Sequence, residues 1–324
     1  MTGKIAPMKH PSRAALVAGF AAIYFIWGST FLAIRFAVAT IPAFFMAAAR
    51  HGTAGVVLYA FARRSGAPRP TARQWRNAAI IGALLLSGSN GVVSLAETRV
   101  ASGPAALIVA SIPLWMLLLS SAMARRWPSR PVAAGVALGL FGVALLVLPH
   151  GGTSDRIDPV GSALLLFAAL SWSVGSLLSR QIALPRSSIL STGMQCLAGG
   201  ALLVVMGLVT GEGRALHPAA ITLRSVLSLG YLIAFGSIVA FSAYVWLLQV
   251  VPPERVSTYA FVNPIVAVVV GVAAAGEVLT LRIALAALAV VGAVALILLF
   301  GSPRRARAAL AEAAPRRTAG ERNP

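Results

Sequence analysis

The sequence predicts an all-α polytopic membrane protein, with ten transmembrane helices arranged as two inverted five-helix repeats. Three observations carry this. The 324 residues are 58% hydrophobic and only 11% charged, with a mean hydropathy of +0.86. A soluble domain of that size has too few charges to cover its surface. The charges sit in short loops and tails between apolar runs of about the 20 residues that a helix needs to cross roughly 30 Å of hydrocarbon. Finally, the loop charges of the first half are mirrored in the second.

The ten apolar segments are roughly 14–34, 42–62, 77–96, 103–123, 131–149, 160–179, 189–209, 225–248, 256–276 and 282–300. Lys4, Lys9 and Arg13 before the first run resemble a signal-peptide n-region, and Ala37-Val38-Ala39 resembles a cleavage site. The run 14–34 exceeds an ordinary signal-peptide core, so it reads as the first membrane helix. The chain divides into a cytoplasmic N-terminal segment (1–13), a first repeat (14–149), a periplasmic linker (150–159), a second repeat (160–300) and a basic tail (301–324). The tail, rich in Ala and Arg, reads as disordered.

With the N-terminus inside, the inner side receives twenty Lys and Arg and the outer side six: Arg35, Arg99, Arg156, Arg214, Arg224 and Arg282. That bias places both termini in the cytoplasm. The net charge of +19 raises nucleic acid as a partner. The dispersal of that charge over loops and tail excludes it, and the tail arginines suit anionic lipid headgroups instead. Cys196, the one cysteine, lies in an apolar run and reads as a buried thiol.

Five helices per half is an odd number, so the second copy enters the membrane upside down. The loop between helices two and three is basic (Arg63 to Arg76), whereas its counterpart holds Glu212, Arg214 and His217. The loop after helix four carries Arg125, Arg126 and Arg130, and its counterpart Glu277 and Arg282. Trp27-Gly28-Ser29 is echoed by Ser171-Trp172-Ser173, and Gly142 by Gly292.

Two segments depart from lipid-facing composition. Residues 256–276 are uncharged but begin with Ser257, Thr258, Tyr259 and Asn263, followed by Pro264. Residues 102–121 are again small and polar at the start, with Pro113 placed like Pro264. Proline removes a backbone donor and frees the carbonyl one turn back. Pro113 and Pro264 are therefore expected as helix breaks or hinges. Paired broken helices in corresponding positions point to a transporter binding site. Asn263 and Tyr259 share a helix face, and an amide offers both donor and acceptor. Asn90, amid small residues in helix three, fits either a cavity wall or helix packing. Tyr244 offers aromatic surface. Trp27 and Trp172 lie too deep for interfacial anchoring, which leaves gating, stacking on a substrate or core packing. Arg50 is the only Lys or Arg well inside a segment, and a membrane-centre arginine faces protein. A substrate carboxylate or helix-end carbonyls would satisfy it. Gly135, Gly139 and Gly142 predict close helix packing, with a homodimer contact as one use. His150 with Asp155 and Asp158 makes a poor metal set, and no cofactor motif is present.

These residues together resemble the drug/metabolite transporter superfamily with two EamA domains, and within it the YedA-like inner-membrane transporters. The resemblance spans roughly residues 15–300. It rests on Trp27-Gly28-Ser29-Thr30-Phe31, Arg50, Glu97 with Ala101-Ser102-Gly103-Pro104-Ala105-Ala106, and Pro113-Leu114. It continues through Ser171-Trp172-Ser173-Val174-Gly175-Ser176, Gly236-Ser237, Ser257–Pro264 and Gly276-Glu277. Trp127 stands where the repeat has Glu277, a departure from internal symmetry. The resemblance implies an inner-membrane carrier, often an exporter of amino acids or related metabolites, with a cavity lined mainly by helices three, four, eight and nine.

A secondary transporter of small metabolites, by alternating access at the midplane, is therefore the expected function. Amino-acid efflux leads, with import or exchange of a vitamin, nucleobase or drug-like solute as the alternative. A membrane enzyme finds no His-Glu-x-x-His, Gly-x-Ser-x-Gly or paired membrane aspartates. A non-transporting scaffold does not account for two mirrored halves. No carboxylate lies at a membrane centre, which favours facilitated exchange at least as much as proton coupling.

Overall fold

The outside of the protein is apolar and much of its inside is polar. Val17, Phe25, Phe61, Phe167, Leu208, Leu227 and Leu288 point outward, while Ser87, Ser94, Ser173, Ser176 and Thr192 are buried. In hydrocarbon the buried hydroxyls need partners inside the chain. Ser94, Ser173, Ser176 and Thr192 each donate to the carbonyl four residues back, at 2.7–2.8 Å. This computed structural model describes residues 12–125, 129–147, 158–251, 256 and 258–300. Most of the N-terminal segment and linker, the whole tail, Trp127, His150, Asp155 and Ser257 lie outside them.

Ten helical rods cross the described residues. They are α1 (Arg13–Val38), α2 (Ala43–Arg64), α3 (Ala72–Ala96), α4 (Ser102–Val109 and Ile112–Ala124) and α5 (Arg130–Val147) in the first half. The second half holds α6 (Pro159–Ser179), α7 (Ser188–Val209), α8 (Leu223–Val250), α9 (Tyr259–Ala275) and α10 (Leu281–Phe300). α1, α3, α4, α6, α7 and α8 are long and apolar enough to span a bilayer outright. α5, α9 and α10 contain shorter apolar helices, and α2 carries Arg50 and His51.

The packing repeats as the sequence repeats. α2 lies along α7 and α5 along α10; α3 and α4 pack on α6 as α8 and α9 pack on α1. Exchanging the halves maps these contacts onto one another, as a two-fold relation demands. The local geometry repeats too. α3 is π-helical over Ala83–Gly91 and α8 over Leu232–Phe241, the third helix of each half. α1 adds a shorter π stretch at Ala22–Ile26.

Glycine sets the closeness of the α2–α7 pair. A Cβ at Gly55 would stand 2.7 Å from the Leu197 nitrogen, and one at Gly193 2.7 Å from the Tyr59 nitrogen. The backbones touch, which is how helices without a hydrophobic driving force associate in lipid. Gly135, Gly139 and Gly142 do the same for α5, meeting Ala293, Ile297, Leu296 and Val290 of α10, with Leu114 of α4 also against Gly139. That stripe packs on α10 and α4 within the chain.

The two proline expectations separate. α4 is interrupted at Ala110 and Ser111, and Pro113 stands in the first turn of the helix that restarts at Ile112. A missing N–H costs little there. α9, by contrast, runs unbroken through Pro264 from Tyr259 to Ala275, which corrects the break expected at Pro264. Pro264 falls in the second turn, where one lost hydrogen bond near the helix start is tolerated.

Gly55→Val is expected to cost about 1–3 kcal/mol through overpacking, read as a lower thermal midpoint of the purified protein. Gly52→Ala, in the helix interior with nothing within 4 Å of its added carbon, is expected to keep or raise the midpoint.

Candidate functional site

The departures from regular helix gather in one place. Trp27 follows the π stretch of α1, Asn90 lies in that of α3, Ile112 restarts α4, and Asn263 precedes Pro264 in α9. Together with Thr30, Phe31, Ile34, Arg50, Ser89, Val93, Val109, Trp172 and Tyr259 they line a cavity of about 70 Å³. At roughly 10–15 Å³ per water it has room for about five.

Its aromatic wall is the meeting of the two repeats. Trp27 and Trp172, the echoed tryptophans, stand edge to face at 5.5 Å between ring centroids. Tyr259 meets Trp27 edge to face at 5.4 Å, a favoured aromatic arrangement. Trp27 Nε1 donates to the Gly236 carbonyl at 3.2 Å, which pins α1 over the π stretch of α8. Tyr244 is placed differently from its expectation. It packs behind Trp27 and Trp172 at 5.0 and 5.2 Å and its hydroxyl pairs with Ser176 at 2.8 Å, so it supports the wall from outside the cavity.

Arg50 forms the polar wall. It is 3% exposed, and its Nε donates to Ser237 Oγ at 2.9 Å. Gly236 makes room for it: a Cβ there would stand 2.9 Å from Nη2. Nη1 has no partner. An unmet guanidinium N–H in a buried site is costly, and Arg50 lines the cavity. Asn90 donates through Nδ2 to the Leu85 carbonyl at 3.1 Å, five residues back, as the π geometry presents it. Asn263 does two jobs. It lines the cavity, and its amide nitrogen, in the orientation that satisfies both ends of the group, reaches the carbonyls of Tyr24 at 2.8 Å and Ile23 at 3.0 Å. Those carbonyls belong to the π stretch of α1.

Glu277 ties α1, α4 and α9 together. Gly276, at φ 64°, ends α9 in the left-handed region. The turn brings the Glu277 carboxylate onto the start of α4, where it accepts from Ser102 N at 3.0 Å, Ser102 Oγ at 2.6 Å and Gly103 N at 3.1 Å. Arg35 at the end of α1 completes the set at 2.5 Å. A carboxylate at a helix N-terminus meets orphan N–H groups and the positive end of the dipole. Glu212 treats α2 the same way, accepting from Phe44 and Phe45 at 2.9 and 3.2 Å.

The cavity walls come from α1, α2, α3, α4, α6 and α9. This differs from the helix set implied by resemblance, since α8 backs the wall through Gly236, Ser237 and Tyr244 instead of facing it. Thr30, Phe31, Ile34, Ser89, Val93, Val109 and Ile112 line the cavity without having been marked as cavity residues in the sequence. The signal was present for the first three, which follow Trp27 at i+3, i+4 and i+7 and so share its face.

Two repeated helical halves enclosing a partly polar cleft define a polytopic membrane transporter. The EamA-like transporter family model matches residues 14–148 and again 159–299. The chain belongs to that family, and with it to the drug/metabolite transporter superfamily. An uncharacterized inner membrane transporter of Escherichia coli K12, YedA, is 38% identical over 80% of this chain and 82% of its own length. A WAT1-related chloroplastic protein of Arabidopsis thaliana is 26% identical over 76% of this chain and 61% of its own. The PecM protein of Dickeya dadantii is 26% identical over 76% and 80%. One solved crystal structure shares the fold with a TM-score of 0.64, at 22% identity over 90% of this chain and all of the other.

Asn263→Ala strands two carbonyls of α1 as well as altering the cavity. At about 1–3 kcal/mol for an unmet buried group, it is expected to lower the thermal midpoint along with activity. Thermal unfolding checks this, and an unchanged midpoint would show that the amide does not tether α1.

Proposed function

We propose that this chain is a secondary transporter of the inner membrane, with both termini in the cytoplasm, that exports small carboxylate-bearing metabolites, amino acids foremost, by alternating access around the Trp27–Arg50 cavity. The observation that carries the substrate reading is the unpartnered Nη1 of Arg50 in a cavity otherwise walled by aromatic and apolar side chains. A carboxylate meets that donor and an apolar side chain meets Trp27, Trp172 and Tyr259. The twenty-to-six distribution of Lys and Arg supports the orientation. The outward direction follows the family resemblance.

The carrier reading is preferred to an enzyme. Ser237 and His51 form a hydroxyl–imidazole pair at 3.4 Å, but neither lines the cavity. The pair packs behind Arg50 and meets no substrate. Movement of the halves would be absorbed at Ala110-Ser111 and in the π stretches of α3 and α8. Such stretches recur at functional sites because their hydrogen bonding is easily rearranged.

Counterflow in proteoliposomes tests this without any assumption about coupling. The panel is labelled phenylalanine, leucine and lysine with nucleobases and vitamins. Saturable accumulation of an amino acid is expected. Arg50→Gln is expected to reduce it about 10- to 100-fold, given the ~1.5–3 kcal/mol of a hydrogen bond to a charged group, with Arg50→Lys intermediate. Exchange of nucleobases alone would overturn the substrate class. Full amino-acid exchange by Arg50→Gln would overturn the role of Arg50.

A further inference from the structure

Carboxylates are unevenly placed between the two faces of the protein. Among the described residues there are four, Glu97, Asp158, Glu212 and Glu277, and all lie at the face where α1 and α3 end and α2, α4 and α6 begin. Two of them reach from the second half to the first. Glu212 grips the start of α2, which already lies backbone to backbone against α7. Glu277 grips the start of α4 and the end of α1. The matching turns of the first half, Arg63 to Arg76 and Arg125 to Arg130, hold no carboxylate, and Trp127 stands where the repeat has Glu277.

The Glu277 bonds lie just past the cavity. α1 packs along α9, and a Cβ at Gly28 would stand 2.6 Å from Val266 and 3.2 Å from the Asn263 carbonyl oxygen. Arg35 is roughly 10 Å further along α1 at about 1.5 Å per residue, and it follows Ile34, the last residue of α1 to line the cavity. There the Glu277 carboxylate sits between α9 and α4, 2.6 Å from where a Cβ would stand at Gly271 and 3.3 Å from one at Gly103. α9 packs on α4 along this first segment, Ser102–Val109, whereas the segment restarting at Ile112 packs on α6 and α10. At the opposite face the halves meet through neutral groups: Tyr24 pairs with Thr258 at 2.5 Å, and Asn77 donates to the Ala183 carbonyl at 2.9 Å. Charge-assisted hydrogen bonds are roughly twice as strong as neutral ones.

We propose, on the transport reading above, that Glu277 is a one-sided latch that sets the resting shape of the transporter. Its bonds to Ser102, Gly103 and Arg35 hold α9 against α4 and α1 at the face where α1 ends. The cavity therefore rests open towards the other face, which is the cytoplasm in the orientation given above. Release of substrate at the latched face requires these bonds to part, and they are remade before the next substrate is loaded. A difference in bond strength between the two faces is a difference in the populations of the two shapes. Two halves alike in fold are made unequal by one carboxylate. An exporter loads its substrate from the cytoplasm, and the latched shape is the one that meets it there.

The first measurement needs no substrate. Val93→Cys places a thiol in the cavity wall, and its reaction with a membrane-impermeant methanethiosulfonate is timed from each face of oriented vesicles. The thiol is expected to react about 10-fold faster from the cytoplasmic face, and E277Q to raise the rate from the outer face about 10-fold, with R35Q intermediate. Should E277Q fail to fold, R35Q decides, since it leaves the bonds to Ser102 and Gly103 in place. The second measurement locks the latch. A Cβ at Gly271 would stand 3.2 Å from Ser102 Oγ, so S102C/G271C is expected to form a disulfide on oxidation, to lose phenylalanine counterflow and to regain it on reduction. A cytoplasmic rate no greater than the outer one, an outer rate unchanged by the variants, absence of the disulfide, or full counterflow by the cross-linked protein would each overturn the proposal. Failure of phenylalanine counterflow in wild type counts against the transport reading, and the Val93→Cys rates then decide the latch alone.

Discussion

In hydrocarbon every backbone N–H and C=O must find its partner within the protein. That constraint organises the molecule. Regular α-helix satisfies it automatically, so the lipid-facing lengths of the rods are free to be little more than Val, Leu, Ala and Phe. Any irregular turn must be repaid by a neighbour, and this happens where the two halves meet. The π carbonyls of α1 are taken by Asn263, the Gly236 carbonyl of α8 by Trp27, the Ile112 carbonyl at the break of α4 by Ser173 at 3.1 Å, and the Leu84 carbonyl of α3 by Ser171 at 2.8 Å. The residues that line or support the cavity are largely those that make its irregular walls possible.

This explains why stability and function are hard to separate here. Trp27 presents its ring to the cavity and its N–H to α8. Asn263 is cavity wall and helix tether at once. The halves are alike in backbone but unlike in charge. Arg50 stands at the eighth residue of α2, and the eighth residue of α7 is Gln195, also buried, which donates to Ser191 at 3.0 Å. An amide at that position keeps the packing without the charge. The anion recognition proposed for Arg50 thus lies in the first repeat, although both repeats build the cavity.

Much of the architecture was legible in the sequence because its causes are one-dimensional. Apolar length and the clustering of basic residues describe the spans, and an odd helix count with mirrored charge describes the repeat. The tryptophan echo led to residues that touch. What could not be read depends on neighbours brought together by folding. Pro264 looks like Pro113, yet only α4 breaks, since Pro113 sits at a helix start and Pro264 inside a helix already begun. Tyr244 looks like a cavity aromatic, but α1 lies across it. Glu97 sits at the end of α3, and only the packing of α1, α2 and α6 around α3 buries it. The cradle that Glu277 forms for α4 spans residues 102–277, beyond any local pattern.

The account stands on the cavity being reached from both sides of the membrane in turn. Val93 lines it, and the natural thiol, Cys196, is buried, so Val93→Cys supplies a reporter. Reaction of that thiol with a membrane-impermeant methanethiosulfonate is measured from each face of oriented vesicles, with and without a transported amino acid. Modification from either face, slowed by substrate on both, is the predicted result. Modification from one face only, whatever the substrate, would contradict an alternating site between the two halves.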